Sequence, residues 1–504
     1  MRKMRVLAAV GQIIRIFGVT FLIPFLAALA YEPWDMTLGF IRMPANGWLF
    51  LGMFILCAWI AYPIHWITRQ YADDDLQDKE AYLTVGIGWM VLTVIAMLPF
   101  IGSGVLTNPA DAFFEAMSGF TTTGASVIDT PLEEVPKSVM LWRALLQYIG
   151  GMGIIVLSVA VLARLTHGGI QLLQAEAPGP SVTRIRPKLA QTAKTLWGVY
   201  AIFSAVLFII LFLIFRLDVG LSPGDAFYDA IIHTFTTIST GGFSNHSASI
   251  AFFDSWIVEA VLILFMLVAG SNFTLHYHVL QGDWKRMVRD SEWRSFLVMF
   301  AIITALLTAI VFASGESFLE AFRGAGFITA SIGTSAGFGT VDYDAWPDGA
   351  KLLIVLLMFT GATAGSTAGG MKVIRIMLLM KVVKRELRKL LHPRAVIPIR
   401  MGHKVIKEET VMTVIAFFFS FITIWLVGTA ILISTDPVLG LVDGAVTAAS
   451  AMGNTGPGMG VVGPTDNMSA LLPSSKLLLS GMMWIGRLEV FTALILFSPA
   501  SWKN

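Results

Sequence analysis

Ten runs of about 20 or more mostly apolar residues set the terms for this chain. They fall at roughly 7–31, 46–68, 82–103, 139–163, 195–216, 256–279, 294–313, 351–380, 410–434 and 471–497. A run of that length crosses a bilayer as a helix. Lipid offers the backbone no hydrogen-bond partner, so the N–H and C=O groups must pair within the run, and the ten are read as α-helices. Composition agrees. The 504 residues are 56% hydrophobic and only 13% charged, where soluble domains carry about 25% charged residues. The chain is read as an all-α membrane protein. Its one cysteine, Cys57, lies in an apolar run, which excludes an intrachain disulfide. The opening Met1-Arg2-Lys3-Met4-Arg5 has the charge of a signal peptide. The apolar run behind it is long enough to span, and no clear small-residue cleavage site follows, so it is read as the first helix.

Charge divides the connections into two sets. Segments 69–80, 164–194, 280–293 and 381–408 are rich in Lys and Arg, the last carrying Lys381, Lys384, Arg385, Arg388 and Lys389 among others. The alternate segments have almost none, Arg42, Lys137 and Arg323 being the exceptions. The positive-inside rule puts the basic segments and the N-terminus in the cytoplasm. Ten crossings return the C-terminus, Ser501-Trp502-Lys503-Asn504, to the same side. The acidic Asp73-Asp74-Asp75 also falls inside, where acidic residues weigh little.

The outer segments repeat. Asn108-Pro109 precedes Phe113-Phe114-Glu115-Ala116, and Ser222-Pro223 precedes Phe227-Tyr228-Asp229-Ala230. Phe318-Leu319-Glu320-Ala321 recurs without the proline, and Asp436-Pro437 precedes Leu441-Val442-Asp443-Gly444. A small polar residue before proline is a cap followed by a preset φ, so each segment opens with a helix too short to span. Each then reaches a glycine stretch: Thr121-Thr122-Thr123-Gly124-Ala125, Ser239-Thr240-Gly241-Gly242-Phe243, Thr334-Ser335-Ala336-Gly337-Phe338 and Gly453-Asn454-Thr455-Gly456-Pro457. The last eight long helices and four short ones thus form four copies of helix, short helix, glycine loop, helix. The expected organisation is a two-helix unit over 1–80 and pore units over 81–190, 191–290, 291–408 and 409–504.

Four short helices ending on one axis would aim their negative dipole ends at its centre and favour a cation. Loops beyond them would present carbonyls in place of hydration water. A tight loop with inward carbonyls needs φ > 0, which glycine tolerates. The expected lining is Thr122, Thr123, Gly124, Thr240, Gly241, Gly242, Ser335, Ala336, Gly337, Asn454, Thr455 and Gly456. A sodium site would be smaller, and a calcium site would want a ring of carboxylates; these positions carry no Asp or Glu. Glu115, Asp229, Glu320 and Asp443 lie back in the short helices, where they stabilise N-terminal turns or draw cations to a vestibule.

These stretches, with Ser244, Gly339, Met452 and Gly458 beside them, resemble the Trk/Ktr/HKT superfamily of potassium transporters, and within it the bacterial TrkH type. The resemblance covers nearly the whole chain, and the extra front helix pair marks the TrkH type. It implies four pore units in one chain, a homodimer, potassium (K+) as the transported ion and a bacterial inner-membrane location. Glycine at all four loop positions is the family pattern for potassium preference; a serine in the first loop accompanies sodium transport in some plant members. Thr455 departs from an expected valine, which leaves its carbonyl in place. The resemblance also implies a cytosolic nucleotide-binding regulatory ring of the TrkA type. No Rossmann fingerprint follows a strand here, so nucleotide control would come from that second chain.

The run from Leu356 to Lys372 holds Gly361, Gly365, Gly369 and Gly370 among small hydroxyl residues. It predicts a helix broken in mid-membrane beside protein or water. The loop would lie under the glycine stretches and plug the pore, and the resemblance implies a gate there, with Lys372 at its end. Close helix packing through small residues is the other reading. Arg487 inside the last apolar run either projects toward the pore as an electrostatic barrier, as the resemblance implies, or bridges to a neighbouring helix. Arg143 and Glu259 are read as holding helices together, and His233, His276 and His278 as structural. Segment 381–408 would meet anionic lipid or the cytosolic partner. A secondary carrier, sodium-coupled or sodium-permeable, rocking about a midplane site is the alternative, against which stands four-fold rather than two-fold repetition. No nucleophile–base pair or metal-ligand cluster points to an enzyme, and nothing points to nucleic acid.

Overall fold

In the computed structural model, residues 3–38, 41–71, 78–157, 185–402 and 404–499 are described. The end of the fourth apolar run, residues 164–184 of segment 164–194, Asp73-Asp74-Asp75 and the C-terminal Ser501–Asn504 lie outside them. All ten apolar runs are mainly helical in their described parts, with breaks at 360–372, 270–272 and 488–490. Seven helices are singly long and apolar enough to cross a membrane. The number is nine if each of two sharply bent pairs counts as one span.

The front unit is α1 (Lys3–Thr20), α2 (Leu22–Tyr31) and α3 (Ala45–Thr68), with a small antiparallel hairpin pairing Met36–Leu38 with Ile41–Met43. α1 and α3 pack closely through small residues: a Cβ on Gly18 would lie 2.7 Å from Cys57 Cβ. Phe21 stacks on Trp142 at 4.4 Å, which ties the front unit to the next.

The rest repeats four times. The first copy is α4 (Asp78–Gly102), α5 (Pro109–Phe120) and α6 (Lys137–Leu157). The second is α7 (Ile185–Leu217), α8 (Pro223–Ile238) and the pair α9 (Trp256–Ala269) and α10 (Phe273–Leu280), bent by 102°. After α11 (Trp284–Arg289) comes the third: α12 (Ser291–Ala313), α13 (Phe318–Gly333), α14 (Asp348–Phe359) and α15 (Val373–Leu391). The fourth is α16 (Glu408–Thr435), α17 (Leu441–Gly453) and the pair α18 (Pro473–Arg487) and α19 (Phe491–Phe497), bent by 118°.

The short helices start as capped elements. Asn108 accepts from Ala110 N, Ser222 from Asp225 N and Ser317 from Glu320 N. The fourth differs from the expectation. Asp436 ends α16 and binds Val438 N and Leu472 N, while α17 begins at Leu441 behind Gly440. Its proline belongs to the connection, not to the helix start.

Candidate functional site

Each short helix ends in the same reverse turn. Thr122 N donates to Gly119 O at 3.0 Å and Thr123 N to Ser118 O at 2.8 Å. The pairs Thr240/Gly241, Ser335/Ala336 and Asn454/Thr455 repeat both bonds, the second of them at 2.8, 2.7 and 2.9 Å. This is the Schellman termination, which needs a left-handed residue. Here that residue is Thr122 (φ 53°), Thr240 (51°), Ser335 (55°) or Asn454 (53°). A β-branched residue in this region costs about 1–3 kcal/mol and persists only where its surroundings hold it. Two residues on, Gly124, Gly242, Gly337 and Gly456 take φ of 85°, 77°, 82° and 106°. The glycines were legible from sequence; the left-handed Thr, Ser and Asn before them were not.

The four turns close on one another in order. A Cβ on Gly124 would lie 2.2 Å from Gly241 O, and one on Gly242 1.8 Å from Ala336 O. One on Gly337 would lie 2.1 Å from Thr455 O, and one on Gly456 2.5 Å from Thr123 O. Each glycine thus seats the main-chain oxygen of the next segment, and the fourth seats that of the first. All twelve residues expected at the lining fall in these four turns. Inner helices reach the ring through further glycines that sequence reasoning did not single out. A Cβ on Gly150 would meet Phe120 O at 2.0 Å, and one on Gly486 would meet Met452 O at 2.2 Å.

The broken segment 360–372 separates α14 from α15 and lies against the left-handed quartet. Gly369 N donates to Ser335 Oγ at 2.6 Å, and Thr240 Oγ1 to Thr367 Oγ1 at 3.2 Å. Thr122 Oγ1 and Asn454 Oδ1 are buried without a partner among the described residues. The segment and the bend after α9 satisfy one another: Thr363 Oγ1 donates to Gly270 O, Thr367 Oγ1 to Ala269 O, and Phe273 N to Gly365 O. Gly365 and Gly370 have φ of 74° and 64°, and a Cβ on Gly361 would meet Gly369 O at 2.1 Å. Lys372, also buried, donates to Ala368 O. Arg487 donates to Thr367 O at 2.8 Å and to Gly150 O at 3.5 Å. Glu489 pairs instead with Arg375 on α15.

On the other side of the ring lies a cavity of about 530 Å³, lined by all four glycines and by Glu133 and Asp466 among the loops. Burial would raise the Glu133 carboxyl, but the Ser247 N–H and hydroxyl hold it below the usual carboxylate range. Of the four acids, Glu320 caps its helix with Ser317, and Asp443 sits in the first turn of α17. Glu115 and Asp229 do something else. Glu115 accepts from Arg143 Nε at 2.5 Å and Val127 N at 2.9 Å. Asp229 binds Asn245 Nδ2 at 2.8 Å and His246 Nε2 at 2.9 Å. Both hold the strand leaving a glycine turn. His233 does likewise through Ser244 Oγ at 3.1 Å, His276 binds Val268 O, and Glu259 pairs with Arg323.

The family model for TrkH, described as a cation transport protein, matches residues 50–504. The chain is 38% identical over 502 residues to the Trk system potassium uptake protein TrkH of Escherichia coli K12, covering 98% of each. It is 36% identical to the protein of that name in Vibrio parahaemolyticus, covering 99% of each. The crystal structure of the potassium transporter TrkH from Vibrio parahaemolyticus matches with a TM-score of 0.86 at 34% identity, covering 100% of both chains. Matched along its length in sequence and in fold, the chain belongs to the TrkH family of cation transport proteins.

Proposed function

We propose that this protein takes up potassium across the bacterial cytoplasmic membrane as a gated, channel-like transporter. The observation that carries the reading is the closed ring in which Gly124, Gly242, Gly337 and Gly456 seat one another's neighbouring carbonyls. Residues of positive φ, alternating with one that is not, turn successive carbonyls to one side, and oxygens so arranged replace the hydration shell of a bare cation. The four short helices add the negative ends of their dipoles. Full-length similarity to proteins named for potassium uptake supports potassium as the ion.

In this reading the ten apolar runs all cross the membrane, with both termini in the cytoplasm. Segment 360–372, with Gly361, Gly365, Gly369, Gly370 and Lys372, is the gate, and Arg487 is its electrostatic bar. Opening withdraws Gly369 and Thr367 from the polar quartet above them. The chain works as a homodimer with a TrkA-type nucleotide-binding ring on the basic cytoplasmic face. The test is growth of a potassium-uptake-deficient strain on low potassium, with and without that ring, together with potassium, rubidium and sodium flux in liposomes. Absence of rescue in both backgrounds, with protein present in the membrane, ends the proposal.

A further inference from the structure

Three of the four turns carry a side chain just before the ring glycine: Thr123, Ala336 and Thr455. The second carries Gly241. The reason lies in the neighbouring copy of the repeat. A Cβ on Gly241 would lie 2.4 Å from Cδ and Oε1 of Gln147. Gln147, on α6, is fully buried. Its Nε2 donates to Gly241 O at 2.6 Å, and its Oε1 accepts from Phe243 N at 3.1 Å. A carbonyl needs a donor and an N–H needs an acceptor, so only this amide orientation satisfies both.

The bonded oxygen is itself a member of the ring: Gly241 O is the atom seated against Gly124. No side-chain donor reaches Thr123 O, Ala336 O or Thr455 O among the described residues. Two successive glycines also make the second turn the freest of the four, and the Gln147 carboxamide spans both of their peptide planes. We infer that Gln147 is a specificity-determining residue, which holds the Gly241 carbonyl at the radius set by the other three turns and so denies the ring to a smaller ion. The inference rests on the reading of the ring as an ion filter. Freed of Gln147, the second turn closes in on sodium.

The test is potassium and sodium flux in liposomes holding the full-length protein. Gln147→Leu removes both hydrogen bonds at similar volume. Gly241 O and Phe243 N both lose their partner, and the expected result is a potassium-to-sodium ratio lower by about tenfold or more, since one buried group left unsatisfied already weighs about that much. General destabilisation would instead depress both fluxes together. Gly124→Ser serves as the control on the ring itself. If Gly124→Ser lowers the ratio and Gln147→Leu keeps it at the unmodified value, the inference falls and the filter reading stands. If neither variant moves the ratio, both fall. Should Gln147→Leu fail to assemble, the double variant Gln147→Ala/Gly241→Ala takes its place, since it fills the vacated space as Ala336 does in the third turn. A lowered ratio in that protein supports the role of Gln147, and an unaltered ratio overturns it.

Discussion

Arg487 and Thr367 join the last inner helix to the broken segment of the third: Nη1 donates to the Thr367 main-chain oxygen at 2.8 Å. Arg487 is 2% exposed, and among the described residues no carboxylate pairs with it. A buried charge without a counter-ion is costly. Here its cost is offset by two main-chain oxygens, Thr367 O of the irregular segment and Gly150 O of α6. The same bond holds Thr367 against Thr240, so the second glycine turn and the helix break are tied together by one side chain.

Replacing Arg487 with alanine should therefore loosen the segment and lower the barrier together. A hydrogen bond to a charged group contributes about 1.5–3 kcal/mol. We expect rubidium flux in the absence of any regulatory partner to rise by on the order of tenfold or more. Lysine should restore little of the restraint, because an ammonium cannot match the planar fork that reaches Thr367 O and Gly150 O. Resting flux equal to that of the unmodified protein would show that Arg487 does not bar the path.

The ring makes a second expectation. Serine at Gly124 must adopt φ near 85° and place a Cβ against Gly241 O. Relief requires the first turn to move off the second, which opens the ring on one side. Potassium preference over sodium should fall in flux measurements, with transport retained. An unchanged ratio in a well-folded Gly124→Ser protein would remove Gly124 from the filter.

The ring glycines were legible because a positive φ leaves a residue-type signature, and the long helices because lipid demands apolar length. Other features leave no such trace. Thr122, Thr240, Ser335 and Asn454 are left-handed because their surroundings hold them, and threonine does not advertise that conformation. The bends after Ala269 and Arg487 fall inside continuous apolar runs, so hydropathy reads each as one straight span. Val490, at φ 51°, looks like any helical valine in sequence. Asp436-Pro437 carries the local signature of a helix start and serves as a connection, since Asp436 is recruited by Leu472, distant in the chain. The work of Glu115 depends on Arg143 and Val127 arriving beside it, which is decided by tertiary packing.

Glu292, near the start of α12, was not singled out by sequence. Its Oε1 accepts from Ala364 N at 2.8 Å and from Ile374 N at 3.0 Å. One atom thus holds the broken segment and the first turn of α15, whose cap residue Lys372 offers no side-chain cap of its own. Glu292→Ala should free both ends of the segment and raise partner-independent rubidium flux by about tenfold, since the Ala364 and Ile374 N–H groups lose their acceptor. Glu292→Gln keeps a carbonyl acceptor and should give a smaller rise. A Glu292→Ala protein that folds and conducts no more than the unmodified one would separate this residue from gating.

The Glu115–Arg143 pair gives the last expectation, and it concerns stability. Both side chains are buried, Nε meets Oε1 at 2.5 Å, and the guanidinium lies 3.5 Å from the Phe243 ring centroid while donating to Ser244 O. The pair thus ties the strand leaving the first glycine turn to the one leaving the second. Removing one partner strands a buried charge, at a cost of about 3–5 kcal/mol. Arg143→Met should lower the thermal midpoint in detergent markedly. Replacing both, as Glu115→Gln with Arg143→Met, removes the stranded charge and should recover much of that loss, while the substituted carboxamide retains an acceptor for Val127 N. If the double variant is no more stable than Arg143→Met alone, the pair matters through packing on Phe243, and Glu115 tolerates burial through Ser126 and Val127 alone.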